Sequence, residues 1–211
     1  MIKFFLVLVF FFQPTQMFAA EEKPKPTQTK QLIVIDPGHG DFDIGAKVGT
    51  LKEKNLALET AIRVKNYLHA KGYRVILTRS RDVFLPLKRR ADIANDTKSS
   101  LFVSIHFNAF KTEKASGIEI YYYNHGNKER LIASKKLAQI VLDEMLATTG
   151  AINRGVRSGN FHVIRETKMP AILIEGGFIT NPKEHAHLSD KNYIDKMARS
   201  IANGIEKHLK R

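Results

Sequence analysis

Short apolar runs alternate with stretches of helical periodicity along most of the chain. Strand-like runs occupy residues 31–36, 73–78, 100–106, 117–123, 161–164 and 171–174. Apolar residues at helical spacing occupy residues 53–68, 86–95, 128–148 and 193–209. Strands that alternate with helices predict an α/β fold, a single domain with a mostly parallel, twisted sheet of about six strands and helices on both faces. Ligands bind such a sheet beyond the carboxyl ends of its strands.

The first 30 residues follow a different pattern. Lys3 precedes an apolar run at residues 4–12 that is too short to span a bilayer and has no polar face. This pattern is typical of a secretory signal peptide, which we assign to residues 1–20. Residues 21–30 are polar and contain two prolines, so we expect a linker there and the globular domain at residues 31–211. The predicted location is the periplasm, the cell envelope or the extracellular space.

Charge and composition restrict the partner and the chemistry. The 211 residues carry a formal net charge of +13, so the surface favours a polyanion such as nucleic acid, anionic lipid or an acidic envelope polymer. For an exported protein we expect the envelope polymer and no nucleic acid. The basic surface that would retain it includes Lys128, Arg130, Lys135 and Lys136, although such a patch is more often a solvated helix face. Because cysteine is absent, a metal ion would need histidine, carboxylate or water ligands.

Three candidate metal ligands fall at one edge of the predicted sheet. His39 lies in a glycine turn after the first strand, Glu53 in the first turn of the next helix, and His106 at the end of the third strand. Two imidazoles and one carboxylate, with a fourth position left for water, are the ligand set of a catalytic zinc site. Simpler explanations exist, since an acid at a helix N-terminus complements the helix dipole and a strand-end histidine can be held by hydrogen bonds.

Glu175 ends an apolar strand directly before two glycines. A carboxylate is costly to bury there, so it needs a charge partner or a catalytic role. A zinc hydrolase requires a general base that accepts a proton from water and returns it to the leaving nitrogen, and Glu175 could do this from a neighbouring strand end. The alternative is a salt bridge to Arg79, Arg154 or Arg157.

Five sequence blocks carry a family resemblance. They are IDPGHGDFDIGA, LKEKNLAL, LTRSRD, SLFVSIHFNA and NFHVIRETKMPAILIEGGFITNP. In order and spacing they resemble the zinc-dependent N-acetylmuramoyl-L-alanine amidases of the type-3 family, bacterial peptidoglycan hydrolases. The resemblance implies a fold similar to the zinc exopeptidases and phosphorylases. It also implies one zinc ion per chain, with His39, Glu53 and His106 as ligands and Glu175 as the catalytic glutamate.

The resemblance further predicts that the substrate is peptidoglycan and that the protein cleaves the amide between N-acetylmuramic acid and the L-alanine of the stem peptide. Two alternatives remain open, a zinc peptidase that acts within the stem peptide and a non-catalytic peptidoglycan-binding protein. Asp36 and Asn108 are further candidates for contacts to the substrate or for contacts that orient a metal ligand.

Family members controlled by partner proteins carry a long helical insertion that plugs the zinc site. The segments 106–117 and 123–128 are too short to hold such a helix. We therefore expect an open site in a monomer that needs no obligatory activator.

Overall fold

In the computed structural model, which describes Met1 and residues 31–210, one six-stranded sheet forms the centre of the molecule. The elements follow one another as β1 (Leu32–Pro37), β2 (Lys47–Val48), β3 (Leu51–Lys52), α1 (Glu53–Ala70), β4 (Arg74–Leu77), α2 (Leu87–Asp96), β5 (Leu101–Asn108), β6 (Ile118–Tyr122), α3 (Lys128–Thr149), β7 (Asn153–Ser158), α4 (His162–Glu166), β8 (Ala171–Phe178), α5 (Pro182–Ser189) and α6 (Lys191–Leu209). The predicted signal peptide, apart from Met1, and the predicted linker lie outside the described residues.

The sheet is mostly parallel. Its strand order is β4-β1-β5-β8-β6-β7, and β2 and β3 form a separate antiparallel pair. Every neighbouring pair in the sheet is parallel except β6 and β8, which are antiparallel. This arrangement confirms the predicted fold class, a single α/β domain with helices on both faces of a six-stranded sheet.

The two faces of the sheet are covered unequally. Successive side chains of a strand point to opposite faces, so Ile33 and Ile35 enter a large core that α1, α3 and α6 cover. Val34, Phe102 and Leu173 enter a smaller core on the other face, where the short helices α2 and α4 pack. Because these helices have only 10 and 5 residues, much of that second face stays open at the ends of β5 and β8. We call it the open face.

Two elements differ from the sequence-based expectation. The strand predicted at residues 161–164 is wrong, because this segment is the short helix α4, which buries Val163 and Ile164 on the open face. The edge strand β7 was not predicted, because its sequence, NRGVRS, has one apolar residue and no alternating pattern. A strand at the edge of a sheet faces solvent on one side, so a polar, arginine-rich sequence can occupy this position.

The helix α5 was also not predicted, although the sequence contains its start signal. Asn181 is the N-cap, and its side chain accepts hydrogen bonds from the backbone N–H groups of Lys183 and Glu184. Pro182 occupies the first helical position, where a missing N–H costs nothing. Among the described residues, no helix is both long enough and apolar enough to cross a bilayer.

Candidate metal centre

A tight loop after β1 presents His39. His39 itself has a φ of 60°, a left-handed conformation unusual for a residue with a side chain, and Gly40 follows at a φ of 139°. Gly38 lies against the ring of His106, since a Cβ at this position would stand 2.3 Å from Cε1 of that histidine. Glycine at position 38 therefore lets the two histidines approach each other, and their ring centroids are 4.9 Å apart.

Two buried arginines hold the backbone of this loop. The Nε of Arg79 donates to the carbonyl oxygen of Pro37 at 3.1 Å, and its Nη2 donates to that of Gly38 at 2.6 Å. The Nη2 of Arg90 donates to the carbonyl oxygen of His39 at 2.7 Å. Three successive carbonyl groups are thus fixed by guanidinium groups, which sets the position of His39 before any metal binds.

Asp36 lies behind the loop and does not reach the ring of His39. Its side chain is 1% exposed, and its Oδ1 accepts hydrogen bonds from Nη1 of Arg90 at 3.0 Å and from Oγ1 of Thr78 at 2.5 Å. Its Oδ2 accepts from Oγ of Ser104 at 2.8 Å. Asp36 therefore supports the histidine loop through its hydrogen bond with Arg90, which holds the carbonyl group of His39. Its predicted part in the site stays a prediction.

The residue that contacts the ring of His39 from behind is Asp43, which the sequence-based reasoning missed. Nδ1 of His39 lies 2.8 Å from Oδ1 of Asp43. A carboxylate can only accept, so Nδ1 carries the proton and Nε2 points into the site. The only sequence signal was a second acid shortly after the histidine, in the block HGDFD.

Glu53, the first residue of α1, brings both histidines together. Its Oε1 lies 3.0 Å from Nε2 of His39 and 2.9 Å from Nδ1 of His106. Its Oε2 accepts a hydrogen bond from the backbone N–H of Ala46 at 2.8 Å, which holds the carboxylate in this orientation. One potential ligand atom from each of the three residues lies within 4.8 Å of the other two.

The charges of this group depend on one another. Burial would raise the pKa of Glu53, but hydrogen bonds from His106 and His39 outweigh it and hold that pKa below its usual range. Burial would lower the pKa of His39, but the carboxylates of Glu53 and Asp43 outweigh it and raise that pKa. Without a metal, the negative charge of Glu53 therefore favours the protonated form of His39, and a bound cation would balance that charge instead.

The donor set fits a catalytic zinc ion. Two imidazole nitrogens and one carboxylate oxygen converge from β5, the loop after β1 and the start of α1. Catalytic zinc sites use three protein ligands of these kinds and leave one position open for water or substrate. The open face supplies that access, because the three residues line a cleft of about 480 Å³. The rest of its lining is Gly45, Ala46, Phe107, Asn108, Ala109, Phe161, Leu173 and Glu175.

Glu175 stands on β8 between two polar neighbours. In the sheet register it lies beside His106 of β5 on one side and beside Glu119 of β6 on the other. Its Oε2 is buried and has no hydrogen-bond partner among the described residues. Burial, together with the negative charges of Glu53 and Glu119, raises the pKa of Glu175 well above its usual range.

The salt bridge considered for Glu175 does not form. Arg79 is engaged by the carbonyl groups of the histidine loop. Arg154 and Arg157 instead contact Glu119, with Nε to Oε2 distances of 2.9 Å and 3.3 Å. A buried carboxylate oxygen without a partner beside a metal-ligand set is a candidate proton acceptor.

Asn108 lines the cleft and also contacts Glu119. Its Nδ2 donates to Oε1 of Glu119 at 2.9 Å, and its Oδ1 accepts from the backbone N–H of Ala109 at 2.9 Å. Both polar ends of the side chain are thus satisfied by the protein. A direct contact from Asn108 to a substrate stays a prediction.

Comparison with known proteins identifies the family. The sequence matches the family described as N-acetylmuramoyl-L-alanine amidase over residues 33–207. The chain belongs to this amidase family. The match confirms the family resemblance found in the sequence, and it covers His39, Glu53, His106 and Glu175.

The amidase relatives differ in length from this chain. It is 40% identical over 177 residues to the N-acetylmuramoyl-L-alanine amidase LytC of Bacillus subtilis, covering 82% of this chain but only 34% of LytC. It is 32% identical to the germination-specific N-acetylmuramoyl-L-alanine amidase of the same organism, covering 97% of this chain and 91% of that protein. The match thus spans about a third of LytC and nearly all of the germination-specific enzyme.

Solved amidase structures share the fold. The catalytic domain of CwlV from Bacillus (Paenibacillus) polymyxa var. colistinus superposes with a TM-score of 0.79 at 41% identity, covering 85% of this chain and 98% of that one. The CwlD amidase of Clostridioides difficile, solved in complex with the GerS lipoprotein, superposes with a TM-score of 0.80 at 30% identity, covering 86% of this chain and 99% of that one.

Proposed function

We propose that the protein is a zinc-dependent amidase that hydrolyses the bond between N-acetylmuramic acid and the L-alanine of the peptidoglycan stem peptide. One observation carries this proposal. Nε2 of His39 and Nδ1 of His106 converge on Oε1 of Glu53, and the unpartnered Oε2 of Glu175 stands on the adjoining strand. Membership of the amidase family supports the choice of substrate.

The residues around the centre have separate roles in the proposed hydrolysis. A zinc ion held by His39, Glu53 and His106 would polarise the scissile carbonyl and lower the pKa of a water molecule towards about 7. Oε2 of Glu175 accepts a proton from the attacking water and passes it to the alanine nitrogen as the C–N bond breaks. Asp43 keeps Nδ1 of His39 protonated, so that Nε2 is free to bind the metal.

Product analysis tests the reaction. The purified protein is incubated with zinc and a soluble muramyl peptide, and mass spectrometry identifies the new ends. Free lactyl groups together with new N-terminal alanine support the amidase. New termini within the stem peptide would instead indicate a zinc peptidase, and binding without any release would indicate a non-catalytic binding protein.

Two substitutions separate metal binding from turnover. Glu175→Gln should keep about one zinc per chain and lose roughly 10²-fold to 10⁴-fold in kcat, the usual contribution of a general base. His39→Ala should lose both zinc and turnover. Glu129→Gln, at an exposed position in the first turn of α3, is the matched control and should resemble the wild type. Full activity of Glu175→Gln would contradict the role assigned to Glu175.

Export and independence from an activator belong to the same proposal. The pattern of residues 1–20 supports export to the cell envelope, and N-terminal sequencing of the protein recovered outside the cytoplasm would test it. The loop between β5 and β6, residues 109–117, contains no helix. We therefore expect the purified monomer to be active alone. A preparation that is inert until a second protein is added, for instance a lipoprotein such as the one bound to CwlD, would contradict this.

A further inference from the structure

Beside Glu175, a buried acidic residue organises the open face of β6 and β7. Glu119 is 2% exposed, and its Oε1 accepts hydrogen bonds from Nδ2 of Asn108 and from the hydroxyl of Tyr121, each at 2.9 Å. Its Oε2 lies 2.9 Å from Nε of Arg154 and 3.3 Å from Nε of Arg157. Two guanidinium groups thus share one carboxylate, and this cluster carries a surplus positive charge.

The part of this positive charge that is exposed to solvent lies on Arg157. Its side chain is 50% exposed, whereas that of Glu119 is 3% exposed. Its Nε contacts Glu119 and donates to the backbone carbonyl of Arg154 at 3.2 Å. No hydrogen bond from the described residues occupies its two terminal nitrogens. The inner edge of the guanidinium is therefore fixed, and the outer edge is free to bind a ligand.

The position of Arg157 relates it to the proposed reaction. In the sheet register it is the neighbour of Tyr121 on β6, two residues beyond Glu119, which is itself beside Glu175. Two strand spacings across the sheet and an offset of two residues along the strand separate the two positions, so the backbone at Arg157 lies roughly 12 Å from that at Glu175. Phe161, which lines the cleft, packs edge-on against Tyr121 at a centroid distance of 5.0 Å. A continuous surface therefore joins the cleft to Arg157.

We propose that Arg157 determines specificity by binding a carboxylate of an acidic stem peptide, a few residues beyond the scissile amide. A guanidinium presents two parallel N–H donors that match a carboxylate, and prior fixation of its Nε reduces the entropy lost on binding. An extended peptide advances about 3.3 Å per residue, so three residues span about 10 Å and the length of a side chain covers the rest of this distance. The inference rests on the proposed function, because it takes the peptide side of the substrate to cross β8, β6 and β7.

Paired substrates test the inference. Two soluble muramyl peptides of the same sequence are compared, one with free peptide carboxylates and one with every carboxylate converted to a carboxamide. The zinc-loaded wild type should cleave the free acid with a kcat/KM about tenfold to hundredfold higher, mainly through a lower KM, as expected for hydrogen bonds to a charged group. Arg157→Gln should reduce this preference to about onefold, and Arg157→Lys should keep part of it.

Controls separate specificity from folding. Arg199→Gln removes an exposed arginine from α6, on the covered side of the sheet, and should keep the full preference. Arg157→Gln should retain the wild-type unfolding midpoint, because Glu119 keeps Arg154, Asn108 and Tyr121 as partners. A wild type without preference, or an Arg157→Gln protein that retains it, overturns the inference even if both peptides are cleaved as amidase substrates.

Binding measurements test the role of Arg157 independently of the proposed reaction. If neither peptide is hydrolysed, the proposed function fails, and calorimetric Kd values of the two peptides for the wild type decide the inference. A tighter Kd for the free acid that Arg157→Gln abolishes supports the carboxylate site. Equal affinities, or no binding of either peptide, overturn it.

Discussion

Asp43 and Glu53 contact opposite nitrogens of the His39 ring, at 2.8 Å and 3.0 Å. The ring therefore has one orientation, and the tautomer that leaves Nε2 available to a metal follows from the acceptor at Nδ1. Arg90 fixes the carbonyl oxygen of the same residue, and Asp36 in turn holds Arg90. At the scale of single residues, the proposed metal site is held in place by the protein alone, so the residues behind the proposed ligands should affect metal affinity.

Asp43→Asn should weaken zinc binding roughly tenfold, at the lower end of the usual effect of removing a charged partner from a ligand histidine. The amide can still accept a hydrogen bond from Nδ1, but it no longer raises the basicity of the ring. Competition with a chromogenic chelator measures the affinity. Asp41→Asn is the matched control, because Asp41 is exposed in the same loop and its side chain does not contact His39. Equal affinities of the two variants would contradict the role of Asp43.

Glu175 should make the stability of the metal-free protein depend on pH. Burial and the charges of Glu53 and Glu119 raise its pKa in the folded state, whereas in the unfolded chain it titrates near 4.5. Between these two values the folded state binds more protons than the unfolded state, so the free energy of unfolding falls as pH rises. Below pH 4.5 this contribution is fully present, and it is lost as pH rises through the folded pKa.

Urea unfolding of the chelator-treated wild type and of Glu175→Gln, at pH 4.5 and pH 8, measures this effect. The glutamine does not titrate, so the stability of the variant relative to the wild type should increase between the two pH values. Titration of Glu53 and His39 is common to both proteins and largely cancels in the difference. A difference independent of pH would show that Glu175 titrates normally.

At the scale of elements, the positions of the three proposed ligands could be predicted because they depend on local patterns. An apolar run that ends in a histidine marks the end of a buried strand, and parallel neighbours β1, β5 and β8 bring such ends to one edge. Glu53 could be placed because the helical pattern begins there. Each residue taken alone also had a simpler explanation, such as an acid at a helix N-terminus or a hydrogen-bonded histidine at a strand end. Only the three residues together favoured a metal site.

The supporting residues could not be predicted from local pattern. Arg79 binds the carbonyl group of Gly38, 41 positions earlier in the chain. Arg90 binds that of His39, 51 positions earlier. Apart from Tyr121 on its own strand, Glu119 has its partners on β5 and β7, and the sequence of β7 gives no strand signal. Contacts of this kind depend on the sheet order, which a single sequence does not determine.

The crossing of α3 and α6 gives a test at the element scale. A Cβ on Gly204 would lie 2.7 Å from Cα of Val141, so the two helices are in contact through their backbones. Gly204→Ala should therefore destabilise the protein by about 1–2 kcal/mol, because overpacking outweighs the gain of about 0.5–1 kcal/mol that alanine gives over glycine in a helix. Urea midpoints measure the change.

Asn203→Ala is the control on the same helix. Asn203 is only partly buried, and alanine should change the stability there by a few tenths of a kcal/mol at most, in the stabilising direction. Zinc affinity should be unchanged in both variants, since α6 lies on the covered face of the sheet. A Gly204→Ala protein more stable than the wild type would mean that the two helices are not in close contact.

At the scale of the whole molecule, the positive charge lies partly away from the cleft. Lys135 and Lys136 are exposed on α3, beside a shallow groove that also includes Ile132. Arg130, which the sequence suggested for the same basic surface, is engaged instead, because its guanidinium donates to the carbonyl oxygens of Met169 and Ile164. The helix α3 packs on the covered face, so a polyanion bound to these lysines would leave the cleft on the open face accessible.

The lysines of α3 should therefore retain the protein on an anionic cell wall without taking part in hydrolysis. Replacing Lys135 and Lys136 by glutamate should reduce the affinity for insoluble wall at 50 mM salt roughly tenfold and leave kcat/KM on a soluble muramyl peptide unchanged. Above roughly 0.5 M salt the difference should vanish, because the screening length falls to a few Å. A matched protein with Lys168 and Lys183 replaced by glutamate has the same net charge, and both positions are exposed. An equal loss of wall affinity in the two proteins would show that net charge, and not the α3 surface, retains the enzyme.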